Sequence, residues 1–140
     1  MRRILAVALL LAGPLWAQMP KGIYAWWGNR VNLEALNLTL DQRRQVQATV
    51  REYRPHLIDV RAAVTKAEED LAVEFNKDPV DTQRANQAIE RLIAARSDLT
   101  RTLSQMSLKL RAVLTNEQWQ ELQRRRPNRE KDDLPTGASH

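Results

Sequence analysis

From Thr39 onward, apolar residues recur at alternating intervals of four and three: Val46, Val50, Tyr53, Leu57, Val60, Val64, Ala67 and Leu71. This is the spacing of a coiled-coil seam, sustained for more than three heptads, and Phe75 extends it by one step. At the rise of an α-helix, residues 39–75 form a rod on the order of 55 Å long. Pro55 falls inside it and removes one backbone hydrogen bond, yet the seam keeps its register across the proline. A bent helix is therefore predicted, its curvature centred one turn before Pro55. A second seam runs through Ala85, Ile89, Leu92, Arg96, Leu99, Leu103, Met106, Leu110 and Val113, with Arg96 its single interruption. Asn76-Lys77-Asp78-Pro79 reads as the turn between them. Asp78 is the expected N-cap, Pro79 the first helical position, and Asp81 adds negative charge to the first turn. So short a connection makes the two rods antiparallel.

One phrase brackets this hairpin. It reads Leu38-Thr39-Leu40-Asp41-Gln42 before the first rod and returns as Leu114-Thr115-Asn116-Glu117-Gln118 after the second. In each copy a Thr stands where a helix begins and a Gln three positions later, which is the capping-box arrangement. The hydroxyl accepts from a backbone N–H of the first turn and the amide reaches back to the cap's own N–H. In the second copy Leu114 and Trp119 add a hydrophobic staple; in the first copy Arg43 takes the place of the tryptophan. The second copy opens a short helix through Trp119 and Leu122.

The ends differ from the hairpin. Residues 1–17 carry Arg2 and Arg3, an apolar run over 4–15 and Leu15-Trp16-Ala17 as a cleavage site, which is the layout of a secretory signal peptide. If retained, the same segment would be a membrane anchor. Residues 18–37 form an aromatic strap, with Ile23, Tyr24, Trp26 and Trp27, expected to fold back and bury its rings; Val31, Leu33 and Leu36 then suggest a short helix. Residues 38–126 are the hairpin domain, and residues 127–140 turn polar and aperiodic, the composition of a disordered tail.

The chain has 140 residues, room for a single domain. It lacks cysteine, which excludes disulfides and thiolate chemistry. With His56 and His140 its only histidines and no nucleophile–base pair or phosphate loop, no enzyme and no cofactor are expected. Loss of Arg2 and Arg3 with the signal lowers the formal net charge from +5 to +3. That modest charge and the export signal argue against nucleic acid.

The export signal and the two Leu-Thr-x-x-Gln phrases about 76 residues apart resemble the Spy/CpxP family, which includes CnrX-like and ZraP-like metal-responsive proteins. Arg54-Pro55-His56-Leu57 and Asn76-Lys77-Asp78-Pro79 are similar to the CnrX-like branch. The resemblance implies an all-α, cradle-shaped homodimer in the periplasm. For Spy-like members it implies ATP-independent binding of unfolded or aggregation-prone proteins, and for CnrX-like members divalent-metal sensing coupled to a signalling partner. A sensor or anti-sigma partner is a further expectation.

Two sets of residues could carry such roles. Arg43, Arg44, Arg51, Arg54 and Arg61 on the first rod, with Arg84, Arg91, Arg96 and Arg101 on the second, could lay apolar stems along a client-binding face while their guanidinium groups stay hydrated. The bland alternative is a solubilising surface of paired charges. Arg96, within the apolar seam, either pairs across the hairpin or marks a break in its packing. Glu52, His56 and Asp59, at i, i+4 and i+7, share a helix face and are the metal-ligand candidates, although members of the metal-sensing branch would carry more histidine. Ile58, Ile93 and Leu108 lie outside the strict seams and widen the apolar face, so a second copy of the chain is the expected partner.

Overall fold

A computed structural model describes residues 25–126. The export segment, Ile23 and Tyr24 of the strap, and the tail lie outside the described residues. The described residues form four α-helices, α1 (Arg30–Ala35), α2 (Leu40–Phe75), α3 (Thr82–Arg111) and α4 (Asn116–Arg125), with a 3₁₀ turn at Trp26–Gly28 before α1. The long pair α2 and α3 pack against each other as a hairpin. Their cross-links fix the direction. Glu52 meets Lys109 and Glu68 meets Arg96, so partners on α3 fall in number as those on α2 rise. Helix α2 runs through Pro55 without interruption.

The base of the hairpin holds the bulky core. Trp26, Leu36, Leu38, Val46, Met106, Leu110, Leu114 and Leu122 are buried there, joining α1, both long helices and α4. Asn29 caps α1, its side chain accepting from the N–H groups of Val31 and Asn32. Asn37 then takes the left-handed conformation (φ 49°) that lets the chain leave α1 and enter the first phrase. Of the aromatic strap, Trp26 is buried in this core, and Trp27 stands edge-on to it at 6.0 Å.

Along the rods Leu57, Val60, Val64, Leu99 and Leu103 are buried as the seams require, with Val50, Tyr53 and Leu92 packed at their margin. Three buried positions fall outside the seams: Thr49, Ala88 and Thr102. On α3, Ala88, Ala95 and Thr102 recur every seven residues, a stripe of small side chains beside the seam that lets α2 approach closely. The contact face of α3 is rotated toward that stripe, and Arg96 is left at its exposed edge.

The turn requires a correction. Asp78 is not the cap and Pro79 is not helical: α3 begins at Thr82, and the Asp81 side chain accepts from the Arg84 N–H at 3.1 Å. Starting at Thr82 lets Asp81 satisfy a free N–H of the first turn while its carboxylate pairs with the Arg84 guanidinium at 3.6 Å.

Candidate functional site

The two repeated phrases meet. Each forms its complete capping box: Thr39 Oγ1 accepts from Gln42 N at 3.1 Å and Gln42 Oε1 from Thr39 N at 3.0 Å, while Thr115 and Gln118 do the same at 3.2 and 2.9 Å. The two glutamine amides then bond each other head to tail. Gln42 Nε2 donates to Gln118 Oε1 at 2.7 Å, and Gln118 Nε2 donates to Gln42 Oε1 at 3.0 Å. Each remaining N–H goes to a main-chain carbonyl ahead of the other phrase, Val113 for Gln42 (3.0 Å) and Leu36 for Gln118 (3.2 Å). Every donor and acceptor site of both amides is thereby used. Leu38 and Leu114, the opening residues of the phrases, are buried beneath this clasp. Trp119 packs against the core and receives the Arg111 guanidinium over its ring at 4.7 Å, tying the end of α3 to α4. The phrase is thus structural; it closes the base and leaves the outer surface of the rods free.

On that surface the arginines sort into groups. Arg44, Arg51, Arg54 and Arg61 follow one another at intervals of seven, three and seven, which keeps them on one flank of α2. Among the described residues none of them makes an ion pair, nor do Arg43 and Arg91. Ile58 lies among the four, 59% exposed, and Leu40 precedes them at 66%. Glu52 and Asp59 fall on the other side of the helix, since successive residues are about 100° apart. The flank continues at Glu68, seven residues past Arg61, where Arg96 of α3 bonds the Glu68 carboxylate at 2.9 Å. Arg96 therefore pairs across the hairpin, and exposed Ile93 stands one turn before it on the same side of α3. Arg91 lies round the opposite side of α3 from Ile93 and is not part of this flank; Arg43 stands on the same side of α2 as Arg54 and Arg61 and borders a cleft between α1 and α2. Arg84 and Arg101 pair locally with Asp81 and Asp98.

The metal-ligand candidates remain apart. Glu52, His56 and Asp59 are exposed on α2, and the Glu52 carboxylate is held by Lys109 at 2.5 Å. That hydrogen bond holds the Lys109 ammonium above its ordinary pKa, and the ammonium also lies over the Tyr53 ring at 5.9 Å. Among the described residues no three His, Asp or Glu side chains converge as a cation cage. No described helix is long and apolar enough to cross a membrane.

The reading of the sequence found both capping boxes but missed the amide clasp. The signal was the identity of the two phrases, including a glutamine where a glutamate would cap equally well: only an amide can both accept and donate.

A family model described as heavy-metal resistance matches residues 3–121. No curated protein and no solved structure matches the chain.

Proposed function

Because the chain belongs to the heavy-metal resistance family, in the group that holds the Spy/CpxP-like, CnrX-like and ZraP-like proteins, we propose that it is a periplasmic holdase that binds non-native proteins without ATP, as a homodimer, in the response to envelope stress. The observation that carries this reading is the unpaired arginine flank of α2, interleaved with the exposed aliphatic side chains Leu40 and Ile58 and extended across the hairpin to Ile93. Its chemistry is binding alone, with no cofactor.

The strength of such a surface follows from its parts. Covering an aliphatic side chain that is already partly sheltered gains about 1–2 kcal/mol, and an exposed arginine–carboxylate contact about 0–1 kcal/mol. A few of each give a gross gain of several kcal/mol, from which side-chain ordering must be subtracted. The result is a weak, reversible grip on many sequences, which is what release without an energy source requires. Membrane attachment would come only from a retained N-terminal segment. A sensor or anti-sigma protein fits the same flank as an alternative client.

The test is suppression of light scattering by a chemically unfolded client at substoichiometric to equimolar protein. Suppression is expected, and it should fall several-fold in a variant combining Arg51→Ser, Arg54→Ser, Arg61→Ser and Ile58→Ser. Unchanged scattering with the unmodified protein, or full activity in the variant, overturns the reading.

The family match itself favours a second reading, a divalent-metal-responsive protein. Its ligands would have to come from more than the described residues of one chain, for example through His56 of two copies. Saturable micromolar binding of zinc, copper, nickel or cobalt, lost in His56→Ala, would establish it over the first.

A further inference from the structure

At the N-terminal end of the arginine flank, a cleft among the described residues joins an apolar floor to a charge with no ion pair there. It has a volume of about 320 Å³ and lies between α1 and the first turns of α2. Leu33, Leu38 and Val46 form its floor, the last two buried and continuous with the core. Its rim carries two arginines with different commitments. Arg30 is spent on Glu34, with Nε to Oε1 at 2.9 Å. Arg43 has no ion-pair partner among the described residues, and it shares one face of α2 with Val46 and Gln47 at i+3 and i+4. A second cleft, around Ile93 and Arg96, offers no comparable charge, because both its arginines are already paired, with Glu68 and Asp98.

We infer that the cleft between α1 and α2 binds a small apolar molecule bearing a single carboxylate. The Arg43 guanidinium presents a fork that matches a carboxylate through two parallel N–H···O bonds, and the Gln47 amide stands beside it as a further donor. One free cation with the Glu34 carboxylate on the same rim suits a monoanion and repels a dianion such as phosphate. The volume is at the small end for ligand sites, so the floor accommodates a short aliphatic or aromatic body and no long chain. Two sources supply that chemistry: a free organic acid, or the C-terminus of a polypeptide ending in an apolar side chain. The cleft adjoins the proposed client flank, Arg43 standing on the same side of α2 as Arg54 and Arg61, but Arg51, Arg54, Arg61 and Ile58 do not line it, so Arg43→Gln and the combined flank variant address the two surfaces with different residues.

Titration of the purified protein, followed by its ¹H–¹⁵N spectrum, tests the inference with octanoate, octanamide, and a leucine-ending tripeptide in free-acid and amidated forms. Saturable shifts at Leu33, Leu38, Arg43 and Val46 are expected with octanoate, with the free-acid tripeptide, or with both. Each acid should bind about tenfold or more tightly than its amide, and Arg43→Gln should abolish that preference. Arg43 is exposed, so the variant retains the fold. Binding of octanoate alone identifies a free acid, and binding of the tripeptide alone a polypeptide terminus. Equal binding of acids and amides, acid binding unchanged by Arg43→Gln, or shifts that map to Ile58 and Ile93 overturns the assignment.

Discussion

Replacing Gln118 by alanine removes one half of the clasp. The side chain takes part in four hydrogen bonds: Oε1 accepts from Thr115 N and Gln42 Nε2, and Nε2 donates to Leu36 O and Gln42 Oε1. The Thr115 N–H is exposed and regains water, so its loss counts for a few tenths of a kcal/mol. The other three are partly buried and worth about 1 kcal/mol each, so Gln118→Ala should destabilise the fold by about 3 kcal/mol. Gln42→Ala should cost about the same, because the arrangement is reciprocal. The two amide–amide bonds are lost in either single variant, so the double variant should fall short of the sum by about 2 kcal/mol. Urea unfolding followed by circular dichroism at 222 nm measures this directly, provided the slope stays constant across the four proteins. Costs that add to within about 0.5 kcal/mol would refute the clasp and reduce the two phrases to independent caps.

Gln118→Glu separates the cap from the clasp. A carboxylate at that position still accepts from Thr115 N and from Gln42 Nε2, but it cannot donate, and it faces the oxygens of Leu36 and Gln42. The variant should lose about 2 kcal/mol at neutral pH despite an intact capping box. Those oxygens disfavour the charged form, so the introduced carboxyl has a raised pKa in the folded state. The deficit is therefore smallest below the usual carboxylate range and grows as pH rises through that raised value.

Trp26→Ala should destabilise by about 3–5 kcal/mol in urea unfolding if the strap belongs to the core; a cost below about 1 kcal/mol would make it a loose appendage. Asp81→Ala should cost about 1 kcal/mol and Asp78→Ala a few tenths at most, the reverse of the order the turn sequence suggests. Hydrogen bonds from Arg124 and Arg125 hold the Glu121 carboxyl below the usual carboxylate range. Its contribution to α4 is thus present above that range and lost as pH falls through its lowered pKa, so amide exchange in α4 should quicken in acid before that of α3. Equal rates at every pH would exclude this role.

The hairpin was legible because its seams are long and regular: Val46, Leu57, Val60, Val64 and Ala67 on α2 and Leu99, Leu103, Met106 and Leu110 on α3 are buried where the alternation of four and three puts them. Features set between elements were not legible. Ala88 and Thr102 gave no hydrophobic signal, yet the stripe they share with Ala95 turns α3 and leaves Arg96 outside the core. The Asp78-Pro79 pair is a strong helix-start signal taken alone, and it yields to Asp81 because the chain must first turn between two packed helices. Periodicity placed Glu52, His56 and Asp59 on one face correctly; it could not reveal that Lys109, arriving from the other helix, holds the first of them. The flank arginines were nameable one by one, but their lack of partners is a property of the folded surface.

The distribution of bulk along the hairpin explains how such a surface can persist. At the base, Trp26, Met106, Leu110 and Leu122 are all but fully enclosed, and the amide clasp joins both phrases above them. Toward the turn the buried residues shrink to Ala67, Ala85 and Ala88, which bring the helices close but remove little apolar area from water, while Val73, Phe75 and Val80 stay exposed. Stability is therefore concentrated at one end. The cations on this flank of α2 that make no ion pair among the described residues repel one another and contribute nothing to folding, so they persist only where other contacts hold the helix. Arg44, Arg51 and Arg54 occupy the half of α2 nearest the clasp and Arg61 lies one turn past its middle, all on the clasp side of the alanine-packed end. Past Arg61 the flank returns to a paired charge, Glu68 with Arg96, where the core beneath it thins to alanine.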